Sequence, residues 1–210
     1  MTMTEIKAID LSHHNGNVDF MKVKASGINT VILRTGYGKH SPGQVDKRFY
    51  EYYDKARDAG MFIGAYHYSY ADGVVGAQDE AEAMLKIIGD RKFELPLFFD
   101  IEEAKHKVMS KKMCTQMVRA FCDILEEAHK WAGVYSYDTF FSSNLEDDIV
   151  QRYATWTARV ENVKPKACKR YDIWQYSWKG KVDGIKGDVD MNYIYKDYPP
   201  AIKRAHLNGY

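Results

Sequence analysis

The stretch LPLFFDIE, residues 95–102, is an apolar run that ends in two acidic residues. Its composition and length are those of a buried β-strand, with Asp100 and Glu102 at the end. Because side chains alternate along a strand, these two acids point to the same side, with backbones about 6 to 7 Å apart. The stretch therefore predicts a buried strand that presents two carboxyl groups on one face.

Seven other runs of apolar, β-branched and aromatic residues have the length of a strand. Helix-like segments separate the earlier runs, at residues 46–60, 79–90 and 110–130, and Ser110 is placed to cap the third. This alternation is typical of βα units around a parallel sheet. After about residue 140 there is little room for full crossover helices. In chain order the eight runs are IKAIDLS, TVILRTGY, MFIGAYHYSY, LPLFFDIE, WAGVYSY, YATWTARV, YDIWQYS and VDMNYIY.

Eight strands with helices mainly after the earlier ones predict an α/β fold, an irregular TIM-like barrel at the lower end of the usual size range. Since there is little room for helices after about residue 140, we expect loops and short turns to join the last strands. An open doubly wound sheet is the alternative, but no GxGxxG follows the first strand. One catalytic barrel domain is expected over residues 1–198. Residues 199–210 are expected to form a C-terminal tail, either a final helix or a loose end.

The composition is that of an ordinary globular protein. The chain has 210 residues, which suits one domain, with 45% hydrophobic and 28% charged residues. Its formal net charge of +1 gives no electrostatic reason for nucleic acid or anionic lipid as the main partner. No apolar run approaches the roughly 20 residues of a membrane span, so no membrane insertion is expected. The sequence does not indicate an oligomeric state.

Four acidic residues lie at or near strand ends, where barrels of this class build their active sites. Asp10 ends the first run, Asp100 and Glu102 end the fourth, and Asp190 lies near the last. The first and eighth strands are neighbours in a closed barrel, which would bring Asp10 and Asp190 together. Acids crowded in a partly dry cleft cannot all ionise at low cost, so at least one keeps its proton to higher pH. A protonated carboxyl beside an ionised one is what cleavage of a glycosidic bond requires.

The adjacent histidines His13 and His14 offer a second chemistry. Together with Asp10 they could bind a metal, as in a metal-dependent polysaccharide deacetylase. A zinc site needs three or four ligands in tetrahedral geometry, however, and no HExxH or CxxC occurs in the chain. We therefore expect no metal, with both histidines in the loop after the first strand.

These segments resemble glycoside hydrolase family 25, the Chalaropsis-type lysozymes of bacteria, phages and some fungi. The resemblance covers nearly the whole chain, and its motifs follow the family's order and approximate spacing. It implies a barrel of five βα units followed by three further strands, and no metal or organic cofactor. The motifs are AIDLSHHNG, TVILRTGYG, GAYHYSYA, LPLFFDIE, GVYSY, TWTARV, DIWQYS and GDVDMN.

The resemblance implies a peptidoglycan hydrolase, an N-acetylmuramidase that cleaves the β-1,4 bond between N-acetylmuramic acid and N-acetylglucosamine. By that likeness Glu102 is the general acid that protonates the leaving oxygen. Asp100 either orients the substrate's own 2-acetamido group or stabilises the developing cation directly, and sequence does not fix the carboxyl separation that would decide. Asp10 and Asp190 match the family's remaining acids and are expected to shape the pocket and set the protonation of the pair.

Aromatic residues make up 14% of the chain, and rings of Tyr and Trp often stack against sugars. Tyr66 and Trp156 are the aromatic residues most expected to touch the glycan. His13 is expected at the rim of the cleft, where the family often carries histidine, whereas His14 stands where a large aromatic residue is frequent. Three further candidates at or near strand ends are Tyr37, Tyr68 and Trp174.

Two other functions fit the residues less well. A glycan-binding module that has lost catalysis would lack one of the acids, and all four are present. A chitinase-like hydrolase would carry a DxxDxDxE strand motif, which LPLFFDIE lacks.

The expected partner is the glycan strand of peptidoglycan, and the expected place of action is the cell wall. The first residues, MTMTEIK, lack the charged start, apolar stretch and cleavage site of a signal peptide. Release by phage lysis, another export route or removal of a leader would each bring the protein to the wall. The sequence does not distinguish a phage from a bacterial origin.

Overall fold

Eight strands form one closed barrel in the computed structural model, which describes residues 5–39, 44–160 and 163–210. The strands pair in chain order, and the eighth returns to the first. The predicted α/β TIM-like barrel is confirmed, with a strand in each of the eight predicted runs. The prediction about the leader rests mostly on residues 1–4, outside the described part. The strands are Ile6–Leu11 (β1), Thr30–Tyr37 (β2), Phe62–Tyr68 (β3), Leu97–Asp100 (β4), Ala132–Tyr137 (β5), Ala154–Ala158 (β6), Ile173–Gly180 (β7) and Val189–Ile194 (β8).

The three predicted helical segments are present, although the second begins at Val74, before its predicted start. Ser110 accepts a hydrogen bond from the backbone N–H of Met113 and so caps the third, as predicted. Within the described ranges, none of the helices has the length and apolarity that a membrane crossing needs. The helices are Phe20–Ala25 (α1), Phe49–Asp58 (α2), Val74–Ile88 (α3), Ala104–Val108 (α4), Lys111–Glu127 (α5), Asp138–Asn144 (α6), Ile149–Arg152 (α7) and Tyr198–Arg204 (α8).

The last strand runs opposite to the others, which the sequence pattern did not indicate. Neighbouring strands from β1 to β7 are parallel, whereas β8 is antiparallel to both β7 and β1. Only residues 181–188 join β7 to β8, too few for the crossover that a parallel strand needs. The reversal brings the start of β8 to the edge where the parallel strands end. Asp190 therefore pairs directly with Asp10.

Side chains alternate between the barrel interior and the surrounding helices, and this alternation builds the site. On the outer side, the rings of Phe99 and Phe121 stack between β4 and α5 with centroids 4.3 Å apart. The inward positions nearer the strand ends are polar, since Asp10 and Asp100 each lie two residues beyond an apolar inward residue. The apolar layer below them includes Ala8, Ile32, Phe98, Ala154, Ile173 and Ile194.

The segment after β8 closes the opposite, N-terminal end of the barrel. Tyr198, at the start of α8, is fully buried and packs edge to face on Trp131, with centroids 5.5 Å apart. Buried Asn208 donates to the backbone carbonyl of Leu95 at 2.8 Å and accepts from the backbone N–H of Trp131 at 2.8 Å. Of the two forms expected for residues 199–210, the structure has the packed helix and turn.

Gly133 on β5 has no room for a side chain. An added Cβ would lie 2.6 Å from two ring atoms of Phe98 and 2.9 Å from the carbonyl oxygen of Ala154, both fixed in the core. We expect Gly133→Ala to lower the free energy of unfolding by about 1 to 3 kcal/mol, the usual cost of overpacking. Urea denaturation measures the loss. In Gly73→Ala the added Cβ meets nothing within 4 Å, so an equal loss in that control would contradict the packing argument.

Candidate active site

The polar layer of the interior brings the four predicted acids together at the C-terminal ends of the parallel strands. Asp10 comes from β1, Asp100 from the end of β4, Glu102 from just beyond it, and Asp190 from the start of β8. Their charges act on one another's ionisation. Six further side chains, from β2, β3, β5, β7 and β8, belong to the same layer: Arg34, Tyr66, Tyr135, Tyr137, Gln175 and Asn192.

Asp10 is held by two amide side chains. Its Oδ2 accepts hydrogen bonds from Gln175 Nε2 at 2.9 Å and from Asn192 Nδ2 at 2.8 Å. Burial raises the pKa of Asp10, the amide donors oppose that rise, and the resulting pKa is about 6. Because these donors favour the charged form, Asp10 is the ionised carboxylate of this part of the site at neutral pH.

Aromatic side chains orient the two amides. Asn192 Oδ1 accepts from Trp156 Nε1 at 2.8 Å. Gln175 Oε1 accepts from the hydroxyl of Tyr135 at 2.8 Å and from Trp178 Nε1 at 2.9 Å. Since the amide oxygens are occupied by these donors, the amide N–H groups are left to face Asp10.

Asp190 lies opposite Asp10 and keeps its proton. Burial, the charge of Asp10 and the hydrogen bond between the two carboxyl groups raise the pKa of Asp190 to about 8. At neutral pH a protonated Asp190 donates to the ionised Asp10. The pair therefore carries one negative charge rather than two.

The raised pKa of Asp190 makes stability depend on pH. Its ordinary pKa is 3.8 and its pKa in the fold is about 8, so the folded state binds the extra proton between these values. The contribution of Asp190 is fully present below about pH 4 and is lost as pH rises through about 8. We expect Asp190→Asn, which keeps a donor toward Asp10, to flatten the decline of unfolding free energy across this range. Urea denaturation at pH 4, 6 and 8 measures it, and parallel curves for the two proteins would contradict this linkage.

Asp100 is buried, and its Oδ1 has no hydrogen-bond partner among the described residues. Burial and then the charge of Glu102 raise the pKa of Asp100 well above its ordinary value. A buried acceptor without a partner costs free energy. A ligand that brings a donor to Asp100 therefore gains from satisfying it.

Glu102 is only partly buried and lies at the mouth of the pocket. Burial raises its pKa to about 7, while the hydroxyl of Tyr137 donates to the carboxyl and opposes the rise. Because the charge of Glu102 is itself a cause of the raised pKa of Asp100, protonating Glu102 makes Asp100 easier to ionise. Near neutral pH Glu102 is therefore close to half protonated, and Asp100 ionises most easily while Glu102 is neutral.

The histidines do not join Asp10 in a metal site. His13 Nδ1 lies 3.1 Å from Asp46 Oδ2 and 2.6 Å from Arg34 Nη2, while His14 is exposed. Among the residues that the structure describes, no three His, Cys, Asp or Glu side chains are grouped to hold a metal ion. A guanidinium against His13 would also repel a divalent cation. The arrangement does not fit the deacetylase chemistry considered from the sequence.

Asp46 fixes this edge of the site. Its Oδ2 accepts from Arg34 Nε at 2.8 Å and from the backbone N–H of His13 at 3.1 Å, and its Oδ1 accepts from the backbone N–H of Arg48 at 3.0 Å. Burial acts to raise the pKa of Asp46, but these donors hold it below its ordinary value. The permanent charge on Asp46 keeps Arg34 in place beside the acids.

Two cavities flank the acids at the open end of the barrel. The β1–β3 cavity has a volume of about 400 Å³ and is lined by His13, His14, Arg34, Tyr37, Tyr68 and Tyr70. The β5–β6 cavity has a volume of about 630 Å³ and is lined on one side by Tyr137, the donor to Glu102. Its other lining residues include Lys107, Asp138, Phe140, Ala158 and Arg159.

The aromatic residues predicted to bind glycan do not all reach these cavities. Tyr37 and Tyr68 line the β1–β3 cavity, as does His13, which was expected at the rim of the cleft. The hydroxyl of Tyr68 donates to Glu103 at 2.6 Å. Tyr66 lies among the acids, half-buried, with the charge of Asp10 acting on its hydroxyl.

Two predicted aromatic residues lie behind the pocket wall. Trp156 is 1% exposed, packs beneath Tyr66 with centroids 5.8 Å apart, and acts on the site through Asn192. Trp174 is 5% exposed and points outward, and its Nε1 donates to the carbonyl of Arg159 at 2.8 Å. The structure thus gives both tryptophans supporting positions, in place of the glycan contacts expected from the sequence.

Sequence reasoning missed most of the polar partners of the acids. The signal available in the sequence was the two-residue alternation along the other strands, which places every second side chain in the barrel interior. Tyr135 and Tyr137 have the same two-residue spacing at the end of β5 as Asp100 and Glu102 at the end of β4. The missed residues are Arg34, Asp46, Tyr135, Tyr137, Gln175 and Asn192.

The chain is similar in sequence to known glycoside hydrolases. The family model described as "Glycosyl hydrolases family 25" matches residues 9–185. The autolytic lysozyme of Clostridium acetobutylicum is 30% identical over 187 residues, which are 89% of this chain and 55% of that protein. This chain thus spans about half the length of that relative.

Solved structures agree with the fold. The modular autolysin LytC from Streptococcus pneumoniae superposes with a TM-score of 0.81 at 26% identity, covering 93% of this chain and 48% of that chain. A family 25 glycosyl hydrolase from Bacillus anthracis superposes with a TM-score of 0.82 at 21% identity, covering 97% of this chain and 94% of that chain. At that identity, the second likeness speaks for the fold alone.

Proposed function

The chain belongs to glycosyl hydrolases family 25, and on that premise we propose that it is a lysozyme. It hydrolyses the β-1,4 bond between N-acetylmuramic acid and N-acetylglucosamine in peptidoglycan, and so acts at the cell wall. The observation that carries the proposal is the pair of acids Asp100 and Glu102, whose pKa values burial and neighbouring charges raise, placed between two cavities. The name of the relative at 30% identity, an autolytic lysozyme, supports the same activity.

Glu102 acts as the general acid. With a pKa of about 7 it holds a proton in a large fraction of molecules near neutral pH, and its partial exposure places that proton on the cleft side. The proton passes to the glycosidic oxygen as the bond from that oxygen to the anomeric carbon breaks. The hydroxyl of Tyr137 then stabilises the carboxylate that Glu102 becomes. In the second half of the reaction the same carboxylate takes a proton from water.

Asp100 acts on the substrate's 2-acetamido group. Its buried Oδ1 lacks a donor among the described residues, and the acetamido N–H is a donor that the substrate brings. An ionised Asp100 that accepts this hydrogen bond polarises the amide, so that the acetamido oxygen attacks the anomeric carbon. The alternative, direct stabilisation of the cation, would leave that acceptor unsatisfied.

Asp10 provides a fixed negative charge near the developing cation. Gln175 and Asn192 hold it in place and favour its charged form. Asp190 stays protonated at neutral pH, so the pair adds one negative charge to the site rather than two. This arrangement stabilises positive charge on the sugar without needing to reorganise during the reaction.

The glycan strand is expected to run across the barrel mouth from one cavity to the other. The β1–β3 cavity offers the rings of Tyr37, Tyr68 and Tyr70 for sugar faces. Because the acids lie between the two cavities, sugars on both sides of the scissile bond find a surface to bind.

Digestion of purified peptidoglycan, followed by mass analysis of the fragments, tests the proposal. We expect fragments with new reducing ends at N-acetylmuramic acid, unchanged by a chelator. Reducing N-acetylglucosamine would show that another bond is cleaved. Chelator-sensitive release of acetate would favour a deacetylase, and binding without products would favour an inactive glycan-binding module.

Tyr137→Phe should change the pH profile of hydrolysis in a defined direction. The lost hydroxyl favours the charged form of Glu102 in the native protein, so its removal raises the pKa of Glu102 above about 7. We expect the alkaline limb of the kcat/KM profile to shift to higher pH by roughly half to one unit. Rates measured from pH 5 to 9 test it, and a limb that moves down or stays in place would contradict the assignment of Glu102 as the acid.

A further inference from the structure

Two cations line the β5–β6 cavity next to the general acid. Lys107 has no ion-pair partner among the described residues, and its Nζ lies 5.0 Å from the ring centroid of Tyr137. Arg159 also lines the cavity, and its Nη1 donates to Asp138 Oδ2 at 2.8 Å. Its side chain is 30% exposed, and its other guanidinium nitrogens have no partner in the described ranges.

Asp138 is the acidic residue in the described part of this wall, and both of its carboxylate oxygens already accept hydrogen bonds. Besides Arg159, it accepts from the backbone N–H groups of Lys166 at 3.0 Å, Ala167 at 3.0 Å and Cys168 at 2.8 Å. Burial acts to raise the pKa of Asp138, but these donors hold it below its ordinary value. It therefore anchors the loop and Arg159, and the described wall keeps a net positive charge.

We propose that the β5–β6 cavity binds a carboxylate of the substrate, carried on the lactyl arm of N-acetylmuramic acid. This inference rests on the proposed function, since it names the form of peptidoglycan that the site prefers. The carboxylate is either the lactyl group's own, in glycan without peptide, or one on the attached peptide. Arg159 supplies planar donors and Lys107 a mobile point charge for such a group.

The position and size of the cavity suit such an arm. Tyr137 lines the cavity and donates to Glu102, so a substituent of the sugar beside the scissile bond reaches it without crossing the barrel. The volume of about 630 Å³ lies within the range of small-ligand sites. Phe140, Ala158 and Val160 supply apolar surface for the methyl groups of a lactyl or alanyl unit.

The expected consequence is discrimination between two related glycans. Peptidoglycan brings an anion to Lys107 and Arg159, whereas an oligomer of N-acetylglucosamine brings none. A charged partner for these side chains adds one or two charge-assisted hydrogen bonds, which corresponds to about tenfold in affinity.

Calorimetric titration tests the inference in the Glu102→Gln background, where ligand is not consumed. The ligands are the disaccharide N-acetylglucosaminyl-N-acetylmuramic acid with its peptide, the same molecule with every carboxyl group converted to a methylamide, and the disaccharide without peptide. We expect the methylamide form to bind about tenfold more weakly than the charged form. Tight binding of the peptide-free disaccharide would assign the carboxylate to the lactyl group, and weak binding would assign it to the peptide.

Variants then locate the site. Adding Lys107→Gln or Arg159→Gln should weaken binding of the charged ligand about tenfold and leave the methylamide unchanged. Arg159→Lys keeps the charge beside Asp138 and should restore part of the loss. Lys86→Gln is the matched control, because Lys86 is exposed on α3, away from the cavity.

Two results would overturn the inference: equal affinity for the charged and methylamide ligands, or variants that weaken both ligands alike. Its failure is separable from failure of the lysozyme proposal. Peptidoglycan cleaved at N-acetylmuramic acid, together with charge-independent binding, would overturn the cavity assignment alone. Charge-dependent binding without any cleavage would overturn the lysozyme activity alone.

Discussion

Glu102→Gln is expected to lower the turnover number on peptidoglycan by a factor of about 10² to 10⁴. Glutamine matches glutamate in shape and keeps an acceptor for the hydroxyl of Tyr137, but it has no proton to give to the leaving oxygen. The initial rate of reducing-end formation at saturating substrate measures the loss. Glu127→Gln, the same change at an exposed position at the end of α5, should leave the rate unchanged.

Two controls separate this chemical loss from damage to the fold. The melting temperature of Glu102→Gln should lie within about 3 °C of the parent, because burial already favours the neutral form of this side chain. An aryl glycoside whose leaving group needs no proton should recover much of the lost rate. Near-parental turnover on peptidoglycan would overturn the role assigned to Glu102.

Asp100→Asn is expected to cost a similar factor, about 10² to 10⁴ in turnover, because both residues act on one transition state. Asparagine keeps an acceptor oxygen but not the charge that polarises the acetamido group. The double variant with Glu102→Gln should lose much less than the product of the two single losses. Asp90→Asn, at an exposed position just after α3, is the matched control and should keep the parental rate.

A modified substrate separates the two roles open to Asp100. If Asp100 works through the acetamido group, a glycan lacking that group at the cleaved sugar reacts slowly with the parent protein. In that case Asp100→Asn should lower the rate on this modified glycan little further. An equal further loss on both substrates would favour direct stabilisation of the cation instead.

The alternation of strand-length apolar runs with helix-like segments was sufficient to predict the barrel. Each run of strand length became a strand, and the acids at the ends of β1 and β4 met in the interior because inward positions repeat every second residue. The direction of β8 was not predictable from the same pattern, since a strand has the same periodicity in either direction. Only the short connection from β7, residues 181–188, carried that information.

The residues around the acids were harder to identify than the acids themselves. Gln175 and Asn192 are ordinary polar residues in sequence, and they matter only because closure of the barrel brings them to Asp10. Trp156 illustrates the opposite error. A tryptophan near a strand end suits a sugar platform, but its position in the layer under Tyr66 leaves it 1% exposed. Layer depth depends on the register between strands, which composition does not reveal.

The protonation state of Glu102 decides three expectations at once: its role as the acid, the ionisation of Asp100 and the alkaline limb of the pH profile. Titration of the side-chain carboxyl carbons by ¹³C NMR, with Glu102→Gln used to assign the signal, measures it directly. We expect a titration midpoint near pH 7 for Glu102. A midpoint near its ordinary value of 4.5 would contradict the role of Glu102 as the general acid, since Glu102 would then be ionised at neutral pH.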